Sequence, residues 1–393
     1  MISKDLSIYI HIPFCVRKCH YCDFLSFPAD EAAREAYVRT LLAEIRLEAK
    51  RYPGYRIRTI FFGGGTPSLL TAGQIQDILS CLSSCFPEDS DQGGFPGVSG
   101  ENNPEVSMEV NPGTVTEEKL AGYRAAGVNR LSIGLQSADD RELKKLGRIH
   151  TYDMFLETYH RAVRSGFTNI NIDLMSALPG QTEESYRATL EKVLALTPAP
   201  THISAYSLIV EEGTPFGDWM DQGTLHLPSE EAERDMYELT GQMLEEAGYG
   251  RYEISNYAKA GYACRHNLVY WTQGDYLGLG LGAASLMDNV RMSNERDLQA
   301  YTGRIEVSGE KPERQVLTRQ AQMEETMFLG LRKMEGVSKA HFRSLYGCNM
   351  EEVYGEVIDK HVKNGLLRDG DFVALTPKGI DVSNYVMADF LLD

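Results

Sequence analysis

The sequence predicts an α/β fold: a partial (β/α)6 barrel followed by a smaller C-terminal domain of helical, winged-helix-like character. Three observations predict it. Six short β-rich runs alternate with amphipathic helical stretches as far as Ser207. Every distinctive glycine or polar cluster in that region falls at the end of one of those runs or directly after it. From about Pro312 the alternation stops, and three helical stretches lead into a hairpin. Strand–helix repeats of this length give parallel sheets with helices on one side.

In order, the expected strands cover residues 7–12, 59–62, 106–110, 130–133, 169–174 and 202–207. The expected helices cover 31–51, 72–85, 117–126, 152–165 and 183–196. In βα barrels, ligands bind where strands end and the following loops begin. A cysteine loop follows the first strand, Gly63-Gly64-Gly65-Thr66-Pro67 the second, and Asn111-Pro112-Gly113 the third. Gly134-Leu135-Gln136-Ser137 follows the fourth, Asp173 lies near the end of the fifth, and Ser207 to Glu211 close the sixth. The clusters therefore share one rim. Segment 87–104, rich in Gly, Pro, Ser and acids, reads as a mobile surface loop. Residues 321–331, 339–345 and 350–364 read as the C-terminal helices, and 366–375 as two strands around an Asp369-Gly370 turn.

Composition sets the compartment and excludes some partners. The seven cysteines are an odd number, and the N-terminus has neither a basic n-region nor an apolar h-region. No run of about eighteen apolar residues occurs, so an integral membrane protein is not expected. A reducing, cytoplasmic location is. With 39 basic against 56 acidic residues the net charge is −17, which argues against broad nucleic-acid or anionic-membrane binding. Residues 312–393 carry 10 basic and 13 acidic side chains and no basic stripe, so the winged-helix likeness does not predict DNA binding.

Cys15, Cys19 and Cys22 form a C-x3-C-x2-C triplet directly after the first strand. Three thiolates so spaced can hold three corners of a [4Fe-4S] cube. Such clusters usually take four cysteines, but Asp23 and Phe24 come next, leaving one iron open to a small molecule. Three-cysteine loops of this spacing mark radical S-adenosylmethionine (SAM) proteins. Zinc is the rival metal, though its sites pair C-x2-C units or add histidines at set distances.

The rest of the rim suits SAM. Gly64, Gly65 and Thr66 offer backbone groups to its ammonium and carboxylate; a plain tight turn is the other reading. Glu109, Gln136, Arg148 and Asp173 are assigned to its remaining polar groups, the carboxylates accepting and Arg148 forking onto its carboxylate. Rim salt bridges are the alternative for those four. Tyr9 and Tyr21 flank the cysteine loop and could pack on the sulfonium or adenine, with a core role open for Tyr9. Cys81, Cys85 and Cys348 read as small buried apolar residues, and Cys264 as a structural thiol close to His266. His11, His20 and His202 read as packing residues. Gly278-Leu-Gly280-Leu-Gly282 imitates a dinucleotide fingerprint without its strand–turn–helix setting, and reads as a packing turn.

Taken together, residues 10–24 (IHIPFCVRKCHYCDF), 61–70 (FFGGGTPSLL), 109–116, 130–137, 146–151, 169–182, 208–216, 252–258 (YEISNYA) and 266–271 (HNLVYW) resemble the radical SAM coproporphyrinogen-oxidase-like family across nearly the whole chain. The resemblance is nearest to its haem-chaperone branch. Phe24 stands where the true oxidases carry a further cysteine, Cys15 lies only fourteen residues from the start where those oxidases have a longer N-terminal stretch, and HNLVYW is similar to a signature proposed to bind haem. Ala284 stands where the wider family often has histidine, which puts any contact from that position in doubt.

The resemblance implies three units: a radical SAM barrel at 1–235, an extension bearing HNLVYW at 236–311, and an accessory domain of the HemN type at 312–393. It implies a [4Fe-4S] cluster, SAM and haem, with His266 as a haem ligand or close contact and Tyr270 and Trp271 as apolar walls. It also implies delivery of haem to an acceptor protein, a membrane haem enzyme by analogy. The alternative is an oxygen-independent coproporphyrinogen III oxidase working by radical SAM oxidative decarboxylation.

Overall fold

The structure is a computed structural model and describes residues 4–86 and 103–392; most of the loop expected at 87–104 lies outside the described residues. Six parallel strands lie in chain order: β1 (Lys4–Ile12), β2 (Tyr55–Gly64), β3 (Glu105–Val110), β4 (Arg130–Gln136), β5 (Ile170–Ser176) and β6 (His202–Ser207). Between them run α1 (Glu31–Arg51), α2 (Ala72–Cys85), α3 (Glu117–Ala126), α4 (Asp140–Lys145), α5 (Tyr152–Arg164) and α6 (Glu183–Leu194). Helix α4 is one that the sequence pattern did not reveal; six residues are too few to show a period.

Local chemistry explains where these helices begin. Asp30, Thr71, Thr116, Thr151 and Thr182 each cap the helix that follows, the side-chain oxygen accepting a backbone N–H three residues on. Strand β1 shows how the two sheet faces divide. Leu6, Ile8, Ile10 and Ile12 are fully buried in the core shared with Tyr37, Leu41 and Ile45 of α1. Alternate residues face the barrel interior, and this inner face is polar: the Thr59 hydroxyl donates to Ser7 Oγ at 2.7 Å, and Asn171 Nδ2 to Ser132 Oγ at 2.7 Å.

Beyond the sixth strand come α7 (Pro215–Asp221), α8 (Glu230–Glu246), β7 (Gly250–Glu253), β8 (Asn256–Ala258), α9 (Arg265–Trp271), β9 (Tyr276–Leu279), β10 (Ala284–Met287), β11 (Val290–Ser293), α10 (Leu298–Glu306) and β12 (Glu313–Val316). Strand β9 pairs parallel to β1, and the remaining strands extend the sheet antiparallel at both edges, in the order β12-β11-β10-β9-β1-β2-β3-β4-β5-β6-β8-β7. The barrel is thus partial, as expected. Helix α8 spans residue 235, and β12, which starts just after residue 312, pairs with β11 in the large sheet. A second apolar core, from Met327 to Phe390, begins after β12.

That C-terminal unit holds α11 (Arg319–Gly330), β13 (Val337–Ser338), α12 (Lys339–Tyr346), α13 (Met350–Lys363), β14 (Leu367–Arg368), β15 (Phe372–Leu375) and two short closing helices. The expected hairpin is β14–β15, and β13 adds a third strand. The glycine-rich segment proves to be the end of β9 and the turn into β10, and a Cβ on Gly278, within β9, would lie 2.0 Å from the Ala284 carbonyl oxygen. Among the described residues no helix is long and apolar enough to cross a membrane.

Candidate metal and cofactor site

The three cysteines sit on the loop after β1, and all three open onto one cavity at the C-terminal ends of the strands. The cavity is open to solvent and is lined by both polar and apolar groups. Among the described residues no three His, Cys, Asp or Glu side chains are grouped to hold a single metal ion. Three thiols lining one cavity suit a cluster. Burial pushes the Cys22 thiol up to about 11, helped by the neighbouring thiols, so it becomes a thiolate only when positive charge arrives.

A polar bracket spans two of the thiols. Arg148 Nη1 donates to Cys19 Sγ at 3.7 Å, while Nη2 donates to Asn111 Oδ1 at 3.0 Å and to the Gly134 carbonyl at 2.8 Å. Asn111 Nδ2 donates to Thr66 Oγ1 at 2.8 Å, and Thr66 meets Cys15 Sγ at 3.3 Å. Arg148 therefore reaches the cavity as expected, but with most of its fork engaged by the protein. Asn111 was not among the expected site residues; its signal was its place in the loop after the third strand.

Opposite the thiols lie two carboxylates. Glu109 accepts the Gly64 N–H at 3.1 Å, and burial together with nearby Asp173 pushes its carboxyl up to about 8. Asp173 accepts from Asn171 Nδ2 at 2.7 Å and from Ser132 at 3.1 Å; burial raises its carboxyl while these donors lower it. Gln136 adopts a left-handed backbone (φ 65°), and its buried Oε1 meets no hydrogen-bond partner among the described residues. An orphaned acceptor beside two carboxylates asks for a ligand rich in donors or positive charge. Thiols, carboxylates and orphan together fit a cluster with a cationic cofactor such as SAM.

Tyr21, Gly64, Gly65 and Thr66 also line this cavity, as do Ser132 and Tyr206, which the sequence reading missed. The glycines act partly through space. A Cβ on Gly64 (φ 108°) would lie 2.4 Å from the His11 ring, and one on Gly65 would lie 2.7 Å from the Phe14 carbonyl oxygen. Tyr9 is not part of the lining. It stacks on Phe61 at 6.4 Å and meets His11 Nδ1 at 3.1 Å.

His266 is elsewhere altogether. Helix α9 packs at the N-terminal ends of the strands, against Thr59 and Glu105, which pair in adjacent strands. His266 Nδ1 lies 2.7 Å from Thr59 Oγ1; that hydroxyl donates onward to Ser7, so Nδ1 carries the proton. Nε2 accepts from the Tyr270 hydroxyl at 2.8 Å. The ring is 1 % exposed and stacks on Phe61 at 5.3 Å. Burial and Arg130 hold its pKa down at about 3. In this conformation neither ring nitrogen is open to iron. Trp271, half-buried, lies under the Arg332 guanidinium at 4.5 Å rather than beside an open face.

Comparison with known proteins agrees with this geometry. Residues 9–193 match the family model for the radical SAM superfamily, and residues 317–382 the model for the HemN C-terminal domain. The solved coproporphyrinogen III oxidase HemN of Escherichia coli has the same fold, with a TM-score of 0.83 over 100 % of this chain and 91 % of that one at 23 % identity. Heme chaperone HemW of Lactococcus lactis subsp. lactis is 36 % identical over 100 % of this chain and 99 % of the relative. Heme chaperone HemW of Bacillus subtilis is 37 % identical over 98 % and 99 % respectively. With the cysteine loop, the polar rim and the C-terminal unit all in place along a full-length match, the chain belongs to the HemW family of radical SAM proteins.

Proposed function

We propose that this protein binds haem and passes it to an acceptor protein, carrying a [4Fe-4S] cluster on Cys15, Cys19 and Cys22 and SAM in the adjoining cavity. The observation that supports this reading best is the convergence of three thiols, Glu109, Asp173 and the orphaned Gln136 Oε1 on one cavity, in a chain whose full-length relatives are named haem chaperones. When bound, the cluster supplies an iron with an open position and the capacity to exchange an electron. The chain's own residues do the rest. Arg148, Asn111 and Thr66 orient two of the thiols; Gln136, Glu109 and Asp173 accept donors from the cofactor; Tyr21 walls one side.

Haem contact falls to the His266 segment, where imidazole is the commonest proximal ligand to haem iron. Because both ring nitrogens are bonded within the protein, ligation there requires the ring to give up its bond to Thr59 or Tyr270. The acceptor is a haem-requiring protein, a membrane haem enzyme being the kind the family suggests. Seven free cysteines suit a reducing, cytoplasmic setting.

The test is an anaerobic side-by-side assay of cluster-loaded protein. A Soret band saturating near one haem per chain, without conversion of coproporphyrinogen III, is the expected result. No haem binding, with conversion of coproporphyrinogen III to protoporphyrinogen IX in the presence of SAM and a reductant, would overturn it in favour of the oxidase.

A further inference from the structure

We propose that segment 208–216 and the start of α7 clasp the cysteine loop, with Phe216 and His20 as positioning residues that hold Cys19 and Cys22 in place for the cluster. This rests on the assignment of the cluster to Cys15, Cys19 and Cys22.

The segment follows β6 and enters the protein twice. Leu208 is buried, Ile209 is 70 % exposed, Glu211, Glu212 and Gly213 face solvent, and Thr214 and Phe216 are buried again. Local chemistry makes the turn. Thr214 Oγ1 donates to the Glu211 carbonyl at 2.6 Å and accepts the Gly217 N–H at 3.1 Å, capping α7. A Cβ on Gly217 would lie 2.6 Å from that same carbonyl oxygen, so the chain doubles back on a residue without one. The first turn of α7 then has few donors to place. Pro215, its first residue, has no N–H, Gly217 is capped, and the Asp218 N–H goes to the Thr214 carbonyl. That leaves the Phe216 N–H, which donates to the His20 carbonyl at 3.0 Å.

His20 stands between Cys19 and Cys22 and is gripped from two directions. Its N–H donates to the Leu146 carbonyl at 3.0 Å and its Nδ1 to the Lys145 carbonyl at 3.0 Å, both at the end of α4. From α7, Trp219 meets the ring edge-on at 5.0 Å and Phe216 at 6.0 Å. A Cβ on Gly147 would lie 2.9 Å from the ring, so α4 and its glycine close the space on that side. Val16, Arg17 and Lys18, by contrast, are exposed. The half of the loop that carries Cys19 and Cys22 is thus fixed through His20. Phe216 also lies 6.5 Å from Tyr21, which walls the cavity. Leu146, Met175, Leu178, Leu208 and Phe216 form a small apolar core separate from that of the barrel. The clasp is therefore its own packing unit, and loosening it leaves the barrel core intact. Groups that orient metal ligands without touching the metal are worth about 10- to 100-fold in its retention.

The experiment uses the full-length protein, reconstituted anaerobically with iron and sulfide. Iron release to the chelator bathophenanthroline is timed, the EPR spectrum of the dithionite-reduced cluster is recorded, and the thermal midpoint of the iron-free protein is measured. Phe216→Ala should release iron ~10- to 100-fold faster than wild type and broaden the EPR signal. His20→Ala should also release iron faster, with the iron-free thermal midpoint unchanged, because that side chain is half-buried and outside the apolar cores. Asparagine can place an amide N–H near the position of Nδ1, so His20→Asn should recover much of the retention. A purely structural role would lower the thermal midpoint and leave release rate and spectrum alone. Wild-type release and spectra in Phe216→Ala and His20→Ala would overturn the clasp while the cluster assignment stands. If Phe216→Ala does not fold, His20→Ala decides on the same terms. Asparagine performing no better than alanine would overturn the role given to the His20 ring. A wild-type protein that assembles no cluster would overturn the cluster assignment, and this proposal with it.

Discussion

Arg148 and Cys19 lie 129 residues apart in sequence, yet a guanidinium nitrogen stands 3.7 Å from the thiol sulfur. Hydrogen bonds to cysteine sulfur tune the potential of an iron–sulfur cluster. Arg148→Met removes this donor and a full positive charge, so the reduced, more negative cluster loses stabilisation. A lower midpoint potential than wild type is expected in an EPR-monitored redox titration, and an unchanged potential would mean that the sulfur does not feel the guanidinium.

Cys15→Ala, Cys19→Ala and Cys22→Ala should each abolish the cluster absorbance of anaerobically reconstituted protein, which otherwise holds about four irons per chain. Cys348→Ala should leave iron content untouched, because that thiol lies beside the separate C-terminal core. Equal iron in the first three variants would remove the assignment.

Gly64→Ala meets two obstacles: a left-handed backbone and the His11 ring where its Cβ would go. Gly213 shares the backbone (φ 74°) but has nothing within 4 Å. Chemical denaturation should show Gly213→Ala destabilised by about 1 kcal/mol. Gly64→Ala should lose roughly 1–3 kcal/mol beyond that, since crowding adds to the strain. Matching losses would show that His11 yields without cost.

Acid should destabilise the fold earlier than carboxylate protonation alone predicts. Burial keeps His150 and His266 neutral with pKa values of about 3, and His202 well below its ordinary value. The unfolded chain binds protons at these positions below about pH 6.5. The native state does not until far lower, so this contribution is fully present above 6.5 and is lost as pH falls toward 3. The thermal midpoint should drop between pH 6.5 and 5. In His150→Gln the slope should ease by one proton's worth; an identical slope would mean that His150 is charged in the native protein.

Much of the barrel was legible because its signals are local. Alternation in β1, threonine caps and glycine breaks are each written within a few residues. The cysteine loop and the rim clusters follow from the same reading, since a βα architecture fixes which ends of the strands share a face. What stayed hidden depends on distant partners. Nothing around His266 reveals that Thr59 and Tyr270 take both its nitrogens, and nothing around Arg148 announces Asn111 as its neighbour. Tyr206 and Ser132 belong to the cavity only through the inward turn of their strands. The join of β9 to β1 also escaped notice, because a four-residue strand after a short helix has too little pattern to declare its neighbour.

Helix α9 has a consequence for how the molecule is made. Its seven residues are far short of the ~12–15 that a lone helix needs in water, and the carboxylate that holds its first N–H groups belongs to a strand 160 residues earlier. The HNLVYW segment therefore takes its form only against a sheet that already exists, late in synthesis, as a guest of the finished barrel. A synthetic peptide of those residues would present a free imidazole on a disordered chain. Haem titrated against it would report the chemistry of histidine and nothing of the seat this protein builds.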